Sequence, residues 1–133
     1  MNNTIEEIEN DFLGKPEYNS HLVTTCHKLR KKNLSDFEIE DLRIMVGQNI
    51  ALPILVPLAI NRLRENLFAE GDFYPGDLLK NVLRSSKEFW DENIDLKNEV
   101  ISLFEKDRDK LNEVIYADEI ISDVLEAYEV FKK

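Results

Sequence analysis

With 133 residues, 43% of them apolar and 33% charged, the chain is long enough for one cored domain and too short for two. Its four glycines and four prolines are too few for a turn-dense β-sandwich or barrel and favour helices. Against 17 Lys and Arg stand 27 Asp and Glu, a net charge of −10, so the surface repels phosphate backbones and anionic membranes and direct binding to nucleic acid or membrane is not expected.

A lone cysteine, Cys26, has no partner for an internal disulfide, which makes the cytoplasm the expected compartment. The first nine residues carry acids and no basic stretch, and the longest apolar run, residues 50–60, is interrupted by Pro53 and Pro57. Neither a signal peptide nor a membrane span is expected. The negative charge sits mainly in the C-terminal half: residues 66–133 hold 17 acids and nine bases, residues 1–65 ten and eight. No repeat, low-complexity tract or linker marks a boundary, so residues 1–133 are expected to form a single domain.

Helical spacing runs through nearly the whole chain. Thr4 and Glu7 form a capping box ahead of Ile5, Ile8 and Phe12, with Gly14 as the stop, and residues 15–19 read as loop. Ser20 caps a second helix with Leu22, Val23, Cys26 and Leu29 on one face and Arg30, Lys31 and Lys32 at its negative end. Ser35 and Glu38 suggest a box opening a third helix, with Ile39, Leu42, Met45 and Val46 inward and Gly47 near its end. Residues 52–65 form the fourth and most apolar helix, in which Pro57 predicts a late start or a bend. Residues 66–76 are the most loop-like stretch, after which Leu78, Leu79, Val82 and Leu83 resume the period. Ser85 with Glu88 is expected to cap a short helix carrying Phe89 and Trp90. Helices follow over 95–105 and through Ile120, Ile121, Val124, Leu125, Tyr128 and Phe131, with a shorter one at Leu111, Val114 and Ile115 between them. No segment alternates with period two, so the expected fold is all-α, one compact domain of about six to eight packed helices.

Enzyme signatures are missing: there is no glycine-rich phosphate loop, no paired-histidine metalloprotease motif and no nucleophile elbow. Cys26 and His27 are adjacent, but neighbouring helical residues point about 100° apart, and a core cysteine is the better reading. His21, Cys26 and His27 supply too few ligands for structural zinc. Asp107, Asp109 and Glu113 begin like a calcium loop, yet Leu111 and Asn112 stand where an oxygen ligand and the turn glycine belong. No catalytic residue, metal or cofactor is therefore expected.

The distinctive local feature is Glu70-Gly71-Asp72-Phe73-Tyr74-Pro75-Gly76-Asp77, two aromatics between acids on a path set by two glycines and a proline. An exposed Tyr74 with Glu70 and Asp72 would form a contact patch for a basic partner. The competing reading folds Phe73 and Tyr74 inward and uses Asp77 as a helix cap. Trp90 beside Phe89 reads as a core anchor.

The ordered series Leu29-Arg30-Lys31-Lys32, Glu40-Asp41-Leu42-Arg43, Gly47-Gln48-Asn49, Leu55-Val56-Pro57-Leu58-Ala59, Gly71-Asp72-Phe73-Tyr74-Pro75-Gly76-Asp77-Leu78-Leu79 and Phe89-Trp90 resembles the bacterial contact-dependent growth inhibition immunity proteins over residues 20–92. That resemblance implies a small cytoplasmic inhibitor, without catalysis of its own, that binds the C-terminal toxin domain delivered by a neighbouring cell. A nuclease toxin must attract phosphate, so an acidic inhibitor complements it in charge. Where the family pattern places proline before Leu34 this chain has Asn33, which is expected to loosen that turn.

The expected toxin contacts are Glu70, Asp72, Tyr74 and Asp77, with Asp91, Glu92 and Asp95, in a one-to-one complex of an immunity monomer with a basic nuclease domain. The alternative is an acidic helical adaptor or self-assembling protein whose charge only maintains solubility. Because motifs shared across a family whose members face different toxins encode the fold, partner choice is expected in the variable surface.

Overall fold

A computed structural model describes residues 3–11 and 20–133. The described residues form eight α-helices of five residues or more, a single-turn segment and two 3-10 turns, with no sheet. They are α1 (Ile5–Glu9), α2 (His21–Arg30), α3 (Ile39–Gly47), α4 (Leu52–Glu65), α5 (Asp77–Arg84), α6 (Lys87–Glu92), α7 (Ile94–Asp107), the single turn α8 (Leu111–Val114) and α9 (Asp118–Phe131). The all-α expectation holds.

The amphipathic helix α5 is the hub. Its polar residues Lys80, Asn81 and Arg84 leave Leu78, Leu79, Val82 and Leu83 on faces that are at least 96% buried, and it packs against α3, α4 and α9. Around it lies a continuous core of Leu42, Met45, Leu55, Val56, Ile60, Leu63, Val100 and Val124. Aromatic rings close the C-terminal side: Phe104 stacks on Tyr128 at 3.8 Å, and Trp90 meets Phe89 and Phe131 edge-on at 5.1 and 4.9 Å.

Several helix starts follow the sequence. Thr4 and Glu7 exchange both bonds of the capping box, at 2.9 and 3.1 Å, and Ser20 Oγ accepts from the Val23 amide at 3.0 Å. The first helix, however, ends at Asn10 in the left-handed conformation (φ 53°); Phe12, Gly14 and the loop expected at 15–19 lie outside the described residues.

The third start shifts by one turn. Ser35 lies inside the 3-10 turn Leu34–Asp36, and Glu38 is itself the cap residue, its amide donating to Asp41 Oδ2 at 2.9 Å. Asn33 holds φ −60°, a value that a proline ring would also allow. Ser85 is also no cap. It is buried, donates to the Val82 carbonyl at 2.6 Å and accepts the Trp90 indole N–H at 2.8 Å, while Ser86 takes the cap position of α6. Helix α4 starts at Leu52, the first residue of the range read from the sequence, and runs on through Pro57, so the late start that Pro57 suggested does not occur. Pro53 and Pro57 share the solvent face four residues apart, so the carbonyl that Pro57 leaves unpaired is on the side where water can reach it.

Among the described residues no helix is long and apolar enough to cross a membrane.

Candidate functional site

The loop before α5 is held from both sides by carboxylates. Asp77, 2% exposed, accepts from the amides of Gly71 at 2.7 Å, Phe73 at 3.0 Å and Tyr74 at 3.4 Å, and thereby stops the loop backbone from pairing elsewhere. From α3, Glu40 accepts the Asp72 amide at 2.9 Å and holds Arg43 through two bonds, to Nε at 2.6 Å and to Nη2 at 2.5 Å. Arg43 Nε lies 3.8 Å from Asp77, so one guanidinium balances both acids. Its bonds to Glu40 keep that carboxyl below the ordinary glutamate range, with the Asp72 amide adding to the effect.

Both loop glycines answer a steric demand. A Cβ on Gly71 would stand 2.5 Å from Glu40 Oε1, and Gly76 sits at φ +92°, which L side chains rarely adopt. The Gly76 amide donates to the Phe68 carbonyl at 3.1 Å and an isolated bridge joins Glu70 to Pro75, closing the loop at its base.

On this frame the side chains point two ways. Phe73 is 66% exposed, with the Arg43 guanidinium 4.2 Å from its ring centroid on the protein side. Tyr74 is half-buried, with Lys80 Nζ 6.0 Å from its ring centroid. Glu70 and Asp72 are exposed and line a shallow hollow of about 290 Å³ with Glu38, Glu40 and Arg62. Four carboxylates around one arginine give that hollow a negative balance.

The sequence-derived contacts therefore divide. Glu70 and Asp72 lie together on the surface and Tyr74 is half-buried toward Lys80, whereas Asp77 is buried and its oxygens are occupied by the loop. Asp77 thus frames the site rather than meeting a partner, and it organises the loop before α5 instead of capping the helix after it. Asp91, Glu92 and Asp95 are exposed on α6 and the start of α7, beyond the opposite end of α5, a helix about 12 Å long. The structure does not gather them with the loop, and Asp91 is engaged by Lys87 at 2.9 Å.

Two exposed aromatic side chains were not singled out by the sequence. Phe73 is outward where the sequence pattern favours Tyr74. Tyr116, 88% exposed, is the most exposed large hydrophobic side chain in the described residues. Its neighbour Ile115 is buried against Gly76, 3.3 Å from where a Cβ would stand, which brings Tyr116, Asp118 and Glu119 to the same end of the molecule as the loop. The only sequence signal for this was an aromatic between a short helix and acids opening the next.

Burial raises the Cys26 thiol above its ordinary value, which disfavours the nucleophilic thiolate. No group of three or more His, Cys, Asp or Glu among the described residues is arranged to hold a metal ion.

The motifs that are scattered in sequence are joined in space. Arg30 binds Glu9 at 2.8 Å, Lys31 binds Glu6 at 2.7 Å and Lys32 binds Asp41 at 2.6 Å, so the basic run ties α2 to α1 and α3. Glu40 and Arg43 then hold the loop; Asn81 Nδ2 donates to the Arg43 carbonyl at 2.8 Å, and Asn49 Oδ1 accepts the Ser86 amide at 2.7 Å. The basic run, Glu40 with Arg43, and Asn49 thus act as joints that link elements from α1 to α6.

A family model described as CDI immunity proteins matches residues 7–100, a segment that contains all of these joints but the Glu6 end of the Lys31–Glu6 pair. No curated protein and no solved structure matches the chain. The match covers more than half of the chain, and the protein belongs to the CDI immunity protein family.

Proposed function

We propose that this chain neutralises the C-terminal toxin domain of its cognate contact-dependent growth inhibition system by binding it directly in the cytoplasm, one to one, with no catalysis of its own. The observation that carries this reading is an exposed Phe73 on a loop whose backbone is already tied down, beside a hollow lined by Glu38, Glu40, Glu70 and Asp72. An anchor presented on an ordered loop loses little freedom on binding, and an aromatic in a polar rim is the usual form of an interface hot spot. The hollow suits a lysine or arginine of the partner, and Tyr116 with Asp118 and Glu119 extends the same acidic, aromatic end.

The partner favoured by this chemistry is a basic domain with an apolar socket. A nuclease fits, because its cleft must be cationic to hold a phosphate backbone. An interface of ordinary size, about 1,200–2,000 Å² in total, would extend beyond the loop onto the neighbouring acids.

The test is a growth-protection assay in which the toxin domain encoded beside this gene is expressed with and without the chain. Rescue of growth, with both proteins co-purifying as one complex, is the expected result. An active toxin that kills regardless and does not co-purify would overturn the reading and move the adaptor alternative ahead.

A further inference from the structure

The opposite end of the molecule carries a surface of contrary character. Helices α5 and α9 run side by side in the same direction, since Lys80 meets Asp123 at 3.4 Å near their starts while Leu83 and Arg84 share one groove with Val130 and Phe131 near their ends. That groove encloses about 380 Å³ and is floored by Leu83, Trp90 and Phe131, with the 61% exposed Val130 as a ledge. Its volume lies within the range of clefts that hold ligands or side chains of a partner, and its floor is apolar.

Its rim is cationic in a chain of net charge −10. Arg84, Lys97 and Lys133 line it, and no carboxylate among the described residues pairs with any of the three, although ten other lysines and arginines are paired. Lys87, also on the rim, is neutralised by Asp91. Helix dipoles account for two of the three positions, because Arg84 and Lys133 lie at the C-terminal ends of α5 and α9, where cations are favoured. They do not account for Lys97. It stands in the first turns of α7, where a cation is disfavoured, and its ammonium lies 6.0 Å from the Phe131 ring centroid at the groove.

We propose that this groove is a second docking site, and that it takes an acidic amphipathic segment of a protein partner. A large apolar side chain of that segment sits against Trp90 and Phe131, and its carboxylates meet Arg84, Lys97 and Lys133. The cations come from three different elements around the rim, which matches several carboxylates spaced along a peptide better than one anionic headgroup. This site is independent of the toxin-binding reading, and its test uses no toxin.

Trp90, the one tryptophan of the chain, lines the groove and reports on it directly. The experiment titrates the full chain with a short synthetic peptide of leucines flanked by glutamates, and with its counterpart bearing glutamine at every glutamate, while following Trp90 emission. A saturable shift with the glutamate peptide alone is expected, weakened about tenfold by Lys97→Glu and also by Arg84→Glu, as befits loss and reversal of a rim charge. Arg84 is exposed, so its replacement keeps the test valid if the Lys97 variant folds poorly. No shift with either peptide, or equal shifts with both, would overturn the proposal. So would a shift produced only by decanoate, which would make this a site for a small apolar anion, or one that appears on concentrating the chain alone, which would make it a self-contact.

Discussion

Asp77 shows how one buried carboxylate sets the geometry of an exposed surface. Three amides of the preceding loop converge on it, and the Arg43 guanidinium lies 3.8 Å away. Asp77→Ala removes all three acceptor bonds and leaves Arg43 with one acid fewer; it is expected to destabilise the fold by about 2–3 kcal/mol in denaturant unfolding, and Asp77→Asn by less, since one oxygen remains. Glu40 adds a dependence on pH. Its folded value is held below the ordinary 4.5, first by its hydrogen bonds with Arg43, so its contribution is complete above 4.5 and is lost as the pH falls through the lower folded value. The stability gap between the natural chain and Glu40→Gln is therefore expected to be widest at neutral pH and to shrink in acid; a gap that grows in acid would contradict the bonding described. Residue identity foretold an acidic, aromatic loop here but not which groups face outward. That Asp77 turns inward depends on Glu40 and Arg43, more than 30 positions earlier, which no local pattern reveals.

At the scale of elements the sequence was legible wherever a helix begins with its own cap and has one apolar face. The starts of α1, α2 and α4 and the spacing of α5 and α9 follow directly from Thr4, Ser20 and the apolar period. The misplaced caps were serines. Ser35 and Ser85 each have a glutamate three residues later, but Ser35 belongs to a 3-10 turn and Ser85 is taken by the Trp90 indole, a tertiary partner that outcompetes a local cap. The junction of α3 and α4 holds a further feature that pattern reading misses, two left-handed residues in close succession, Asn49 at φ 58° and Ala51 at φ 52°. Asparagine tolerates that conformation and its side chain is used to hold the Ser86 amide at 2.7 Å. Alanine gains nothing from it. Ala51→Gly is therefore expected to raise stability by up to about 1 kcal/mol, the left-handed penalty less the greater freedom of glycine in the unfolded chain, and thermal unfolding measures it.

Over the whole molecule the two ends of the α5–α9 pair differ in kind. One presents Phe73 and Tyr116 among acids, the other an apolar groove among cations, while the basic run, Glu40 with Arg43, and Asn49 serve as joints between elements. Net charge foretold the sign of the surface and the even helical period foretold the fold class. Neither foretold this polarity, because it arises from how Ile115 packs on Gly76 and how the last turn of α9 meets Trp90. The proposal that the acidic end carries partner binding has a direct readout: calorimetric titration of the cognate toxin domain with the natural chain, with Phe73→Ala and with Glu70→Lys plus Asp72→Lys. One-to-one binding is expected, weakened about tenfold or more by Phe73→Ala, as for a central anchor, with the double charge reversal slowing association as well. Since all three positions are exposed, the variants should keep the fold of the natural chain. Binding that all of these variants retain in full, or no binding to an active toxin domain, would contradict the account.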